Sequence, residues 1–162
     1  MAAEKAVTRA VELLRQQRWA ALSTLDAEGM PEGSMVAYVM DESGGQLILH
    51  LSELASHTRN LLRQPNAALT ISQFDSGEGD PQQLARLSLS GRVMKLEPSA
   101  EGYTVARQRY LTRLPEAEML FDFADFHLFM FDIARGRFVG GFAQAHTLTA
   151  EKLRKTAQSG SD

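Results

Sequence analysis

Apolar residues recur at Val7, Ala10, Val11 and Leu14, the i, i+3, i+4, i+7 stripe of an amphipathic helix, and predict one over residues 4–18. From Trp19 the period changes. Residues 19–25 (WAALSTL) are a short, mostly apolar run, 26–29 (DAEG) carry turn chemistry, and 34–40 (SMVAYVM) form a second run. DESGG at 41–45 turns again into QLILHL at 46–51. Run, turn, run, turn, run at this spacing reads as an antiparallel meander. Residues 52–64 regain helical character until Pro65 stops them.

Beyond Pro65, AALTIS (67–72) is a fourth strand and DSGEGDP (75–81) an aperiodic surface loop. LARLSLSGRVMKL (84–96) is a long fifth strand, in which Leu87 and Leu89 alternate with Ser88 and Ser90 and Gly91 marks a bulge. A helix begins near 98–101 and runs through Leu114, and a second, short one starts at Pro115. FHLFMFDIA (126–134) is a sixth strand, RG (135–136) turns it, and RFVGGFAQA (137–145) is a seventh. Thr149 caps a terminal helix. The expected fold is mainly β (α+β), a six- to seven-stranded antiparallel barrel with flanking helices. It is read as one domain over 1–162: a helix at 4–18, a barrel with inserted helices at 19–145, and a short helix at 149–158.

Composition narrows the chemistry. With no Cys among 162 residues, thiol nucleophiles and thiolate metal sites are excluded, and His50, His57, His127 and His146 fall into no metal-binding motif. A net charge of -3 argues against general nucleic-acid binding. Only Lys5, Lys95, Lys152 and Lys155 are Lys among the 17 basic residues, and Arg suits two-point contact with carboxylate or phosphate. No segment reaches the roughly 18 apolar residues that span a bilayer. Glu4 and Glu12 in the first helix are unlike a signal peptide, so a cytoplasmic protein with no membrane partner is expected.

Three places could hold chemistry. In HLSELASHTRNLLRQP (50–65) a strand ends and a helix begins, with Ser52 or Ser56 to cap it and His57, Arg59 and Asn60 close behind. Backbone N–H groups at such a start, joined by hydroxyl, imidazole and guanidinium donors, make either an anion cradle or an ordinary cap. Arg86, amid alternating apolar residues, either caps a surface ladder or points into a cleft. The pair Gly140–Gly141 lets a backbone approach a ligand, a neighbouring subunit or a bulge closely.

The order ALSTLDAEGMPEGSMVAYV, GQLILHLSELASHTRNLLRQP, LARLSLSGRV resembles the FMN-binding split barrels of the pyridoxamine 5'-phosphate oxidase-like superfamily. The end, FHLFMFDIARGRFVGGFAQAHTLTAEKL, is similar to its bacterial heme-utilisation branch. The resemblance implies a homodimer with the cofactor at the subunit interface. It would place Ser34, Met35 and Val36 along a flavin ring, and Ser52, Ser56, His57 and Asn60 at the phosphate and ribityl chain. Where the oxidase has Ser-Arg-Lys, this chain reads Ala55-Ser56-His57, which removes two fixed cations. In the heme branch the counterpart of Arg86 lies by the heme, and a tail histidine ligates iron; no histidine follows His146 here. The expected function is therefore an FMN-dependent oxidoreductase acting on a small molecule of unidentified type. The alternatives are a heme-binding or heme-degrading protein using the same cleft, and a non-enzymatic dimeric binding module.

Overall fold

Asp26 builds the first hairpin: its Oδ1 accepts from the N–H groups of Glu28 (2.9 Å) and Met30 (2.8 Å), and Gly29 takes the positive φ of +81° that the turn needs. Strands β1 (Trp19–Leu25) and β2 (Pro31–Ala37) then pair in register from Trp19–Ala37 to Leu25–Pro31. The computed structural model describes residues 2–141 and 144–160. Its further elements are α1 (Ala2–Gln16), β3 (Val39–Met40), β4 (Gln46–Ser52), α2 (Ser56–Arg63), β5 (Asn66–Ser72), β6 (Arg86–Leu96), α3 (Tyr103–Arg113), β7 (Phe126–Val139), β8 (Ala145–Thr149) and α4 (Ala150–Ser159), with 3-10 segments at Pro81–Gln83 and Pro115–Asp122.

The strands form one antiparallel sheet in the order β2-β1-β5-β6-β7-β4-β3, and β8 extends it beside the second half of β7. The two ends of that order, β2 and β3, are consecutive in the chain and separated by Tyr38 alone. The sheet therefore curls until its ends meet, which is the expected split-barrel arrangement. The run 34–40, expected as one strand, is broken because Tyr38 turns inward. Its N–H donates to Arg18 O (3.0 Å), and its buried phenol donates to Leu14 O (3.0 Å) at the end of α1.

Inside the curl, Leu22, Leu49, Leu69, Leu89, Phe131 and Phe138 pack with Val7, Val11 and Leu14 of α1. The helical stripe read from the sequence is the face that α1 buries. Outside, α3 and the following 3-10 segment cover β3, β4 and the start of β7, where Ile48, Tyr110, Leu114 and Leu128 form a second core. Strand β4 is thus buried on both faces, in keeping with its unbroken apolar run.

Two expectations change. Arg135 and Gly136 do not turn the chain; they lie within β7, paired with Ser90 and Leu89. Gly136 is small because Leu87, Leu89 and Leu153 press on it: a Cβ there would stand 3.1 Å from Leu89. The chain reverses later, after Val139, where Gly140 N–H donates to Gln144 O (3.0 Å), and the β7 partner is β8 rather than 137–145; Phe142 and Ala143 of that expected strand lie outside the described residues. Gly140 makes room for Arg9, which donates to Gly140 O (3.0 Å) and covers the Phe138 ring at 5.4 Å.

The bulge at Gly91 is present, with the β6–β7 register shifting between Ser90 and Gly91. A Cβ on Gly91 would lie 2.0 Å from the Asp132 carbonyl oxygen. Gly91→Ala is expected to lower stability by about 1–3 kcal/mol in urea denaturation. Tyr38→Phe removes a buried hydrogen bond and leaves the Leu14 carbonyl without it, an expected loss of about 1 kcal/mol in the same measurement. An unchanged midpoint in either variant would contradict its assigned role.

Candidate functional site

Helix α2 has no side-chain cap. Ala55 occupies its N-cap position, so neither Ser52 nor Ser56 performs that task. The Ser52 hydroxyl donates to Asp125 Oδ2 and accepts from Leu54 N–H (3.1 Å), which ties the end of β4 to the loop before β7. Ser56, on the first helical turn, donates to Glu32 Oε1 of β2. One turn on, Asn60 Nδ2 donates to Glu32 Oε2 (2.9 Å) and to Thr24 Oγ1 of β1 (3.1 Å). The hydroxyl and amide expected to hold an anion already hold one, the chain's own carboxylate.

These hydrogen bonds, Ser56 first and Asn60 second, hold the Glu32 carboxyl below the ordinary carboxylate range. His57 is half-buried, and burial pushes its pKa down although Glu32 pulls it up. Arg59 is turned away and donates to Leu54 O (2.9 Å). Of the three β2 residues expected together, Ser34 shares a face with Glu32, Val36 is buried in the core, and Met35 points to the opposite, exposed face.

That opposite face forms a second constellation. Residues opposed across antiparallel strands point to the same side, so the register lays out two rows. One runs Met35, Ala21, Thr70, Ser88, Arg137, Thr147 across β2, β1, β5, β6, β7 and β8. The next runs Gly33, Ser23, Ala68, Ser90, Arg135, Thr149. Neither row contains an acid. Most members are small, so the face is flat over its middle strands, with arginines at one side and Met35, 49% exposed, at the other.

Arg86, two residues before Ser88, joins this face. Its Nη1 donates to Gln82 O (2.8 Å) and Leu84 O (3.3 Å), which fixes the side chain against the 3-10 segment. With Arg137, Ser88, Gln82 and Gln144 it lines a cleft of about 540 Å³. Arg135 and Arg137 have no hydrogen-bond or ion-pair partner among the described residues. The candidate residues therefore separate: Ser34, Ser56, His57 and Asn60 lie around Glu32, Met35 and Arg86 on the outer face, Ser52 on Asp125, and Val36 in the core.

Glu32, Arg135 and Arg137 were not singled out from sequence. Reading 135–136 as a turn concealed the alternation Arg135, Arg137, Val139, which a continuous strand places on one side. The remaining histidines lie elsewhere. His50 is 8% exposed, stacked on Phe121 at 3.8 Å and pushed by burial down to about 4. His127 Nε2 lies 3.1 Å from Glu53 Oε1, beside Lys95. Among the described residues no three His, Asp or Glu side chains are grouped to hold a metal ion, and no helix is long and apolar enough to cross a membrane. The 75–80 loop is exposed, as expected.

A family model described as CREG, beta-barrel, matches residues 1–155. A chloroplastic non-canonical heme oxygenase, HOZ, of Arabidopsis thaliana is 32% identical over 134 residues, covering 82% of this chain and 39% of its own length. Heme oxygenase HutZ of Vibrio cholerae is 25% identical over 143 residues, covering 88% of this chain and 80% of that protein. The structure of a heme binding protein from Mycobacterium smegmatis superposes with a TM-score of 0.81 at 32% identity, over 96% of this chain and 60% of that one. The chain thus spans about two fifths of the plant relative and three fifths of the mycobacterial one.

The Glu32 clasp has a pH signature. A carboxyl whose folded pKa lies below its ordinary value of 4.5 stabilises the fold fully above that value and loses the contribution as pH falls through the folded one. Glu32→Gln is expected to melt at a lower temperature than the native chain at pH 7, and the gap is expected to narrow below pH 4. A gap independent of pH would show that the charge is not what Ser56 and Asn60 hold.

Proposed function

From the premise that this chain belongs to the CREG beta-barrel family, we propose that it is a heme-binding protein of the heme-utilisation type, with its ligand on the outer sheet face. One observation carries the placement: Arg86 and Arg137 flank one cleft at the side of a flat, acid-free field of small residues. Heme is a planar apolar ring with two carboxylates on one edge. Guanidinium groups stay cationic and offer paired donors that match carboxylates, and small side chains let a plane lie close. The residues present fit the group. Arg86, Arg137 and Arg135 would hold the propionates, Ala21, Ala68, Thr70 and Ser88 would lie under the macrocycle, and Trp19, 55% exposed at the start of β1, would border it. Bound heme would supply oxygen and redox chemistry; the chain's residues bind it, orient it and neutralise its carboxylates.

The same face suits a second copy of the chain, with the ligand between the two. It is a broad exposed sheet surface of short side chains, which another sheet can approach. The relatives named for heme support the ligand, and two of them are named oxygenases. The flavin reading draws on the start of α2. There Glu32 already occupies the donors a phosphate would use, so heme is the better-supported cofactor of the two.

Hemin titrated into the purified protein is expected to give a saturable Soret band at one equivalent per site. Replacing both Arg86 and Arg137 with Ala is expected to weaken binding about ten- to hundredfold, the worth of charge-assisted pairs. His57→Ala, at the Glu32 clasp, should leave it unchanged. No spectral change at stoichiometric hemin would overturn the reading, as would full uptake of FMN by the native chain.

A further inference from the structure

We propose that the outer face recognises its ligand by ring plane and carboxylates rather than by iron, so that the ligand class is the dicarboxylate porphyrins, metallated or not. This rests on the heme reading above. It follows from where the chain puts its metal-ligating atoms, and none of its four histidines is on that face.

His50 is enclosed by rings: Phe121 stacks on it at 3.8 Å, and Phe126 and Tyr110 stand 5.2 and 5.7 Å away. His57 sits on α2 beside Glu32, on the other side of the sheet from Met35. His127 is committed to Glu53 near the far end of β7. His146 comes nearest in the chain, since its neighbours Ala145 and Thr147 oppose Val139 and Arg137. Yet His146 itself opposes Phe138, which is fully buried, so it lies on the inner side of β8. The chain has no cysteine, and of its three tyrosines Tyr38 and Tyr110 are buried while Tyr103, at the start of α3, packs against the second core.

Among the described residues, what remains in these two rows is the Met35 thioether. It stands four strands from Arg137 in the same row, about 19 Å along the sheet at the usual strand spacing. Between them lie Ala21, Thr70 and Ser88, which offer short side chains to a ring and no strong ligand to a metal. The arginines sit at the edge of this field. That is where the carboxylates of a flat-lying macrocycle meet fixed positive charge, while its centre rests over small residues.

Trp19 is the chain's one tryptophan and lies half-exposed at the border of the face, so its fluorescence reports ring binding whether or not iron is present. The whole chain is titrated with hemin, with iron-free protoporphyrin IX, and with protoporphyrin IX dimethyl ester. The expected result is that hemin and protoporphyrin bind within about threefold of one another. The ester, which keeps the ring and loses both charges, should bind at least tenfold more weakly. Arg86→Ala with Arg137→Ala should weaken hemin and protoporphyrin by the same factor.

Hemin binding more than tenfold tighter than protoporphyrin would overturn the proposal while leaving the heme reading in place. An ester that binds as well as the free acid would overturn it from the other side, by showing apolar adsorption. If neither hemin nor protoporphyrin binds, the heme reading itself fails.

Discussion

The architecture turns on Tyr38, where the curled sheet meets its own beginning. Its backbone N–H reaches Arg18 O and its phenol reaches Leu14 O, so one residue joins the β2–β3 break to α1 and to the entry of β1. Burial raises the phenol's pKa, so it stays protonated and donating at neutral pH. The last carbonyls of α1 are all engaged: Leu13 by Gln17 N–H, Leu14 by Tyr38, and Arg15 and Gln16 by the Arg113 guanidinium. A cation at a helix C-terminus also meets the favourable end of the dipole. With α1 and Leu61 of α2 packed inside and α3 laid over β3 and β4, the helices cover the inner surface and the outer side of β3, β4 and the start of β7. The outer surface of β2, β1, β5, β6, β8 and the second half of β7 is left bare, and the arginines stand there.

Much of this was legible before any coordinates. The apolar stripe of α1, the Asp26 turn, the Gly91 bulge and the Thr149 cap each follow from local chemistry, because a period, a short polar side chain or a missing Cβ has few uses. The run from Phe126 to Leu153 is similar to the heme-utilisation branch, in which the named relatives fall. What stayed hidden was set by distant contacts. Gly136 looks like a turn residue because its reason for being glycine is Leu89 on the neighbouring strand. Gly140 looks like ligand clearance because its occupant, Arg9, is on the other end of the chain. Tyr38 looks like any residue of an apolar run until α1 is placed beside it.

The candidate site shows the same division more sharply. Ser56 and Asn60 were named as anion donors, and they do serve a carboxylate; which carboxylate depended on the pairing of β1 with β2 that sets Glu32 opposite Thr24. Arg86 was named, but its companions were not, because Arg137 reaches the same cleft only when β7 runs unbroken past Gly136. A cross-strand row has no signature within one strand. It appears when registers of five or six strands are known together.

The two constellations treat anions in opposite ways, and effective concentration explains why. Glu32 is delivered to Ser56 and Asn60 by the chain itself, so it competes with any dissolved phosphate as an intramolecular partner of high local concentration. A soluble anion must displace it and leave a carboxylate that loses two hydrogen bonds. On the outer face the opposite holds: both cross-strand rows lack an acid, and Arg135 and Arg137 have no partner among the described residues to give up. Arg86 does donate one nitrogen to Gln82 O and Leu84 O, but Arg135 and Arg137 can meet an external carboxylate without breaking other contacts. In a chain of net charge -3 whose Glu32 closes the other candidate seat, the two cross-strand rows hold arginines and no acid, and an anion that reaches them meets Arg135 and Arg137 unpaired.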